Sequence, residues 1–224
     1  MSTQPEHHIP AAWLLDYAAG TLAESWSLVV ACHLSLCPHC RAELRHLEAA
    51  GGGLLDEAAP AALRPGSLEA AMGELDGAAQ LPPPAKAAEK SAAPAGIPKP
   101  LLAYIGDDFD KLPWRWSGAG LHSVALPLPK ARGGMVSLLR IAPGQSMPVH
   151  SHRGEEMTLV LRGGFTDERG AFQRGDVEVA DGDIEHRPVA MSDQPCICLA
   201  VTDAPLRFQG PFGWILNQWA RLSS

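Results

Sequence analysis

His33-Leu-Ser-Leu-Cys37-Pro-His-Cys40 sets one imidazole and two cysteines at spacings i, i+4 and i+7 within a helical pattern, which places all three on one helix face. Imidazole and thiolate are the donors of closed tetrahedral zinc sites, and the upstream pair His7-His8 offers the fourth. Far downstream, His150-x-His152 with Glu156 and His186 makes a second set. Three imidazoles and a carboxylate accept zinc, manganese, iron or nickel, and affinity order does not choose among them. The chain reads as two metal modules in series. A dithiol redox role for Cys37 and Cys40 would call for a preceding strand and a βαβ context, which the pattern lacks.

Helices must carry the first set. Trp13, Leu14 and Tyr17 share one face of a first helix, Gly20 ends it, and Thr21-Leu-Ala-Glu24 fits a capping box. A second helix then runs from Trp26 to about Leu36, turns Leu28, Val29 and Leu36 towards a core and presents His33 with Cys37. Pro38 stops or reorients it. Arg41 to Ala50 reads as a third helix closed by Gly51-Gly-Gly53, and Pro65 to Leu75 as a short fourth. Residues 1–80 are therefore expected to form a small zinc-binding helical bundle, and so small a bundle has little core, so an ion tying its helices would add stability. His39 should face solvent, and Cys32 reads as a small buried hydrophobe.

Residues 81–100 are rich in Pro, Ala and Lys with almost no large apolar side chain, the composition of a semi-extended linker. From 101 to 224 the pattern changes to short alternating runs such as Met135 to Ile141, Met157 to Leu161 and Cys196 to Val201, broken by Gly, Pro and Asp. These are strands, and a metal cluster among them favours a jelly-roll barrel. Two residues apart on a strand face the same way, so His150 and His152 point together into the barrel, as do Cys196 and Cys198. The cysteine pair serves either as core or as an oxidant sensor. His122, Trp114 and Trp116 read as packing or domain-edge residues.

Charge and compartment narrow the function. The chain of 224 residues carries a net charge of -7, and residues 1–80 hold 10 acidic against 3 basic side chains, which is the whole excess. Direct nucleic-acid binding is disfavoured, and a basic protein partner suits the acidic module. There is no signal-like N-terminus and no run near the ~18 apolar residues of a membrane span, so a cytoplasmic location is expected. Five cysteines without a secretory signal read as ligands or free thiols.

His-x-x-x-Cys-x-x-Cys with an upstream His, in an acidic helical N-terminal module, resembles the zinc-binding anti-sigma domain of bacterial regulators. Tyr17-Ala-Ala-Gly-Thr-Leu and Val30-Ala-Cys-His33-Leu-Ser-Leu-Cys37 look closer still to the ChrR-type anti-sigma factors, which join that domain to a cupin. The resemblance covers both modules and implies His8, His33, Cys37 and Cys40 as zinc ligands. Gly144-x5-His150-x-His152-x3-Glu156-x6-Gly163 likewise resembles the first cupin motif in full, which selects Glu156 over Glu155. His186 follows in a looser second motif, where Asp181 stands in a position that cupins often fill with Pro.

The resemblance implies an anti-sigma factor that binds and inhibits an extracytoplasmic-function sigma factor without touching DNA or membrane. Stress, with singlet oxygen or organic peroxide as the usual signals, would be sensed through the cupin, and the complex would dissociate or be degraded by a protease. The alternative is a metal-dependent cupin dioxygenase or isomerase with an accessory zinc domain, since open coordination can activate oxygen or polarise a substrate. The acidic zinc module has no evident part in such chemistry. A storage cupin is disfavoured because the metal ligands are present.

Overall fold

The computed structural model of the chain describes residues 4–78, 96–118, 120–128, 134–151, 154–181, 184–204 and 207–208. Helices come first: α1 (Ala11–Ala18), α2 (Glu24–Leu36), α3 (Pro38–Asp56), α4 (Ser67–Ala78) and α5 (Lys99–Ile105). A 3-10 turn, Phe109–Lys111, leads into the strands β1 (Arg115–Gly118), β2 (Leu121–Ala125), β3 (Met135–Ile141), β4 (His150–Ser151), β5 (Glu156–Arg162) and β6 (Gly164–Asp167). They continue as β7 (Gly170–Gln173), β8 (Val177–Ala180), β9 (Glu185–His186), β10 (Val189–Ala190), β11 (Cys196–Thr202) and β12 (Arg207–Phe208). The expected division, a helical N-terminal part followed by a β-rich cupin-like part, is what the chain forms. No helix among the described residues is long and apolar enough to cross a membrane.

The main sheet has six antiparallel strands in the order β1-β2-β3-β11-β5-β8, facing two three-stranded sheets, β10-β6-β7 and β12-β4-β9. Alternation along the central strands sorts side chains between two cores. Ile197, Leu199 and Val201 of β11, with Met157, Leu159 and Leu161 of β5, join the core shared with the helices. Cys196, Cys198 and Val160 turn the other way, against Ile141, Met147, Phe165 and Phe172 in the barrel interior. Both faces of β5 and β11 are therefore buried, because α2 lies across their outer face.

Helix α2 is buried on nearly every side, with Trp26, Leu28, Val29, Val30, Cys32, His33 and Leu34 all buried. Such a helix belongs in the middle of a structure. It packs on α1, α3 and α5 as well as on the sheet, so the two parts share one apolar core. Helix α5, inside the span expected to be linker or start of the cupin, lays Leu101 and Ile105 into that core. Residues 81–95 of the expected linker lie outside the described residues.

Three local expectations differ. Thr21 does not cap α2, whose N-cap is Ala23 without a side-chain bond; its hydroxyl donates to the Asp16 carbonyl and closes the end of α1 instead. Gly51 to Gly53 do not end α3, which continues to Asp56. None of the three adopts a positive φ, and they ride as helical residues at about 1 kcal/mol each relative to Ala. Cys37 breaks the helical face proposed for His33, Cys37 and Cys40: its extended φ of -104° and ψ of 108° separate α2 from α3, with Pro38 opening the new helix. Proline cannot continue α2 but fits the first turn of α3.

Leu101→Ala is expected to lower stability by about 2–5 kcal/mol, because it opens a cavity where α5 meets the core. Leu68→Ala, on the exposed face of α4, should stay within about 0.5 kcal/mol of the parent. Urea unfolding of the two variants side by side checks this contrast.

Two candidate metal centres

The helical corner at Cys37 gathers the first donor set. His8 lies just before α1, His33 in the last turn of α2, Cys37 at the N-cap of α3 and Cys40 in its first turn. Their ligand atoms all lie within 4.8 Å of one another. His33 Nε2 stands 3.2 Å from Cys40 Sγ, and His8 Nδ1 stands 3.4 Å from Cys37 Sγ. Tetrahedral zinc with ordinary bond lengths has donor-to-donor edges of about 3.3–3.8 Å, so the set has the right span. The donors come from three segments around a corner, not from one helix face.

The protonation states suit metal as well. His33 Nδ1 is 2.8 Å from the Gly175 carbonyl, which can only accept, so that nitrogen carries the proton and Nε2 presents its lone pair inward. Burial lowers the His33 pKa to about 4 and keeps the ring neutral. Burial also raises Cys40 to about 11, so without a cation the thiol would stay protonated. The Cys40 amide donates to Cys37 Sγ at 3.4 Å, aiming the positive end of α3 at that sulfur. His8 is the most exposed of the four, with its pKa lowered by partial burial and then by nearby His39. His7, the other candidate for the fourth position, turns away to Asp176 and lies tilted against the Phe172 ring, centroids 4.2 Å apart. His39 stays exposed, its ring 4.3 Å from that of His8.

The second set meets inside the barrel. His150 on β4 and His186 on β9 are direct cross-strand partners, and their Nε2 atoms lie 3.0 Å apart. His150 Nδ1 donates to the Pro148 carbonyl at 2.9 Å, and His186 Nδ1 faces the Glu178 carboxylate at 3.0 Å and that of Asp167 at 3.3 Å. The outer nitrogen of each ring is thus committed to an acceptor, and the two Nε2 atoms face each other at a spacing that suits a shared proton or a bound cation. Glu156 lines the same cavity from the start of β5 and accepts from the Thr158 hydroxyl at 3.0 Å; burial raises its pKa. Glu155 is exposed, and its backbone amide donates to the Asp203 carboxylate at 2.9 Å. His152 lies outside the described residues.

Glu178, Asp167 and Arg169 went unrecognised in the sequence. Glu178 is buried on the inward face of β8, paired with Arg169, and holds His186 from behind. Its signal was present in Val177-Glu-Val-Ala, where a lone acidic residue between two β-branched neighbours must occupy the opposite face. Cys196 and Cys198 do face the interior, with sulfurs 3.5 Å apart. The contact from Cys196 and then burial push the Cys198 thiol well above its ordinary range, so it is a poor nucleophile at rest. The cavity between Cys198, Glu156 and the two imidazoles holds about 40 Å³, little more than the ~30 Å³ share of one liquid water.

Comparison with known proteins gives the chain a family. A family model described as the ChrR cupin-like domain matches residues 104–205. The anti-sigma-E factor ChrR of Cereibacter sphaeroides is 50% identical over 204 residues, covering 90% of this chain and 92% of that protein. The crystal structure of Rhodobacter sphaeroides SigE in complex with the anti-sigma ChrR superposes with a TM-score of 0.77 at 44% identity, covering 89% of this chain and 100% of the matched one. Helical module and barrel are matched together, and the chain belongs to the ChrR family of anti-sigma factors.

Proposed function

We propose that this chain binds and inhibits an extracytoplasmic-function sigma factor through its helical module, in the cytoplasm, and releases it when the cupin-like part registers oxidative stress. The observation that carries the reading is identity of 50% spanning 90% of the chain to an anti-sigma factor, which takes in both parts. A docking surface is present. Leu68, Met72 and Leu75 of α4, at spacings i, i+4 and i+7, are 68%, 52% and 65% exposed, and Leu54 and Leu55 of α3 are exposed as well. A stripe of that kind in a small protein marks an interaction face.

Zinc suits the first centre, where two thiols and two imidazoles are set at tetrahedral span around a helix corner. The ion would lock α2, α3 and the segment before α1 together and fix the shape offered to the sigma factor. His150, His152, Glu156 and His186 would hold a second divalent ion. Singlet oxygen or an organic peroxide is the signal we assign to that site. A cupin dioxygenase or isomerase would need room for its substrate, and a cavity of about 40 Å³ is far below the several hundred that enclose an organic ligand.

Three outcomes are expected. Replacing Leu68 or Met72 with Glu should weaken sigma binding at least about tenfold, near 1.4 kcal/mol, without loss of folded structure. Titration calorimetry against the purified sigma factor decides it, and unchanged affinity in both variants would remove α4 from the interface. Zinc at the first centre displaces thiol protons, so lowering the pH opposes binding by about tenfold per proton per pH unit. Competition with a chromophoric chelator measures that slope, and a pH-independent affinity would contradict thiolate ligation. His150→Ala and Glu156→Ala should keep repression in a transcription assay while blunting release by peroxide or photosensitised oxygen; loss of repression itself would make the cupin part of the grip.

A further inference from the structure

Four consecutive residues of the barrel touch the surroundings of both metal centres. The Gly175 carbonyl accepts from His33 Nδ1 at 2.8 Å and fixes which nitrogen of that ring faces the zinc ligands. Asp176, buried, accepts from the amides of Glu6 and His7 at 2.6 and 2.9 Å through Oδ1, and from the Gln173 amide at 2.7 Å through Oδ2. The Val177 amide donates to the His7 carbonyl at 3.2 Å, so the chain immediately before His8 is pinned to the barrel at three points. One residue on, Glu178 holds His186 Nδ1 at 3.0 Å inside the barrel.

The fit is close at this turn. Gly175 has φ +96°, and a Cβ there would stand 2.7 Å from Pro5 Cγ. The turn therefore seats directly against the segment that carries His8. Along β8 the alternation sends Val177 out to the shared core and Glu178 in to the cavity. A shift of one end is felt at the other, because packed strands move as units and not side chain by side chain.

We propose that residues 175–178 are a common outer shell for both metal centres, so that an ion in the barrel tightens the zinc centre, and zinc tightens the barrel ion in return. The proposal rests on the reading that both centres hold ions. Outer partners of metal-bound imidazole commonly control affinity by about 10- to 100-fold. Here the partner of His33 and the partner of His186 sit on one short stretch of backbone, and linkage makes any coupling equal in both directions.

The test uses the full chain loaded with zinc, its metal content counted per chain, and iodoacetamide alkylation of Cys37 and Cys40 followed peptide by peptide. Emptying the barrel site with His150→Ala should speed alkylation at least about 5-fold. Asp176→Ala should speed it by a similar factor on its own, and His150→Ala added to it should then produce little more. Asp176→Asn, which keeps one carbonyl acceptor, is run beside it and should fall between the parent and Asp176→Ala. Alkylation within about twofold of the parent in His150→Ala and both Asp176 variants, with zinc still bound at the first centre, would overturn the coupling while sparing the metal reading. Absence of zinc from the parent chain would overturn both.

Discussion

Helix α2 has to satisfy two demands at once, and the architecture follows from them. Its apolar residues cover the outer face of β5 and β11, which would otherwise expose Met157, Leu159, Leu199 and Val201. Its last turn delivers His33 to the cluster of His8, Cys37 and Cys40. Because both ends of this requirement sit on one rigid rod, the metal corner is held at a fixed place relative to the barrel. Burying that many apolar side chains, at roughly 1.5–3 kcal/mol each, is a far larger stabilisation than any single polar contact between the parts.

Polar contacts then set the orientation that apolar packing leaves free. Asp176 anchors the backbone of Glu6 and His7, and Gly175 receives His33. Buried carboxylates are tolerated only when amply hydrogen-bonded, and Asp176 has three backbone donors. In the barrel, Glu178 and Asp167 share Arg169 and serve as acceptors for His186. In both centres an outer acceptor fixes the ring and turns its inner nitrogen towards the other donors.

Much of this was legible in the sequence. The helix-to-strand change, the gathering of His33, Cys37 and Cys40, and the inward pairing of Cys196 with Cys198 follow from spacing and residue type, whereas the choice of His8 over His7 is what the family resemblance implies. The mode of joining did not. Periodicity reports which face of an element is apolar but not what covers it, so the Pro-rich stretch suggested separate modules while α2 and α5 carry the barrel's outer core. The reading of one helix face fails because Pro38, which stops α2, falls inside the cluster: it makes Cys37 a cap and splits the ligands between two helices. Glu178 escaped notice because no motif names it; only the phase of β8 and the position of His186 reveal it.

The central claim is that this chain grips a sigma factor as a zinc-loaded whole. Affinity purification of the intact chain from its own cells under unstressed conditions, with co-eluting proteins identified by mass spectrometry and zinc counted per chain, tests it most directly. The account predicts an extracytoplasmic-function sigma factor at one copy per chain with zinc bound. Metal-loaded chain that reproducibly elutes without a sigma factor would contradict it.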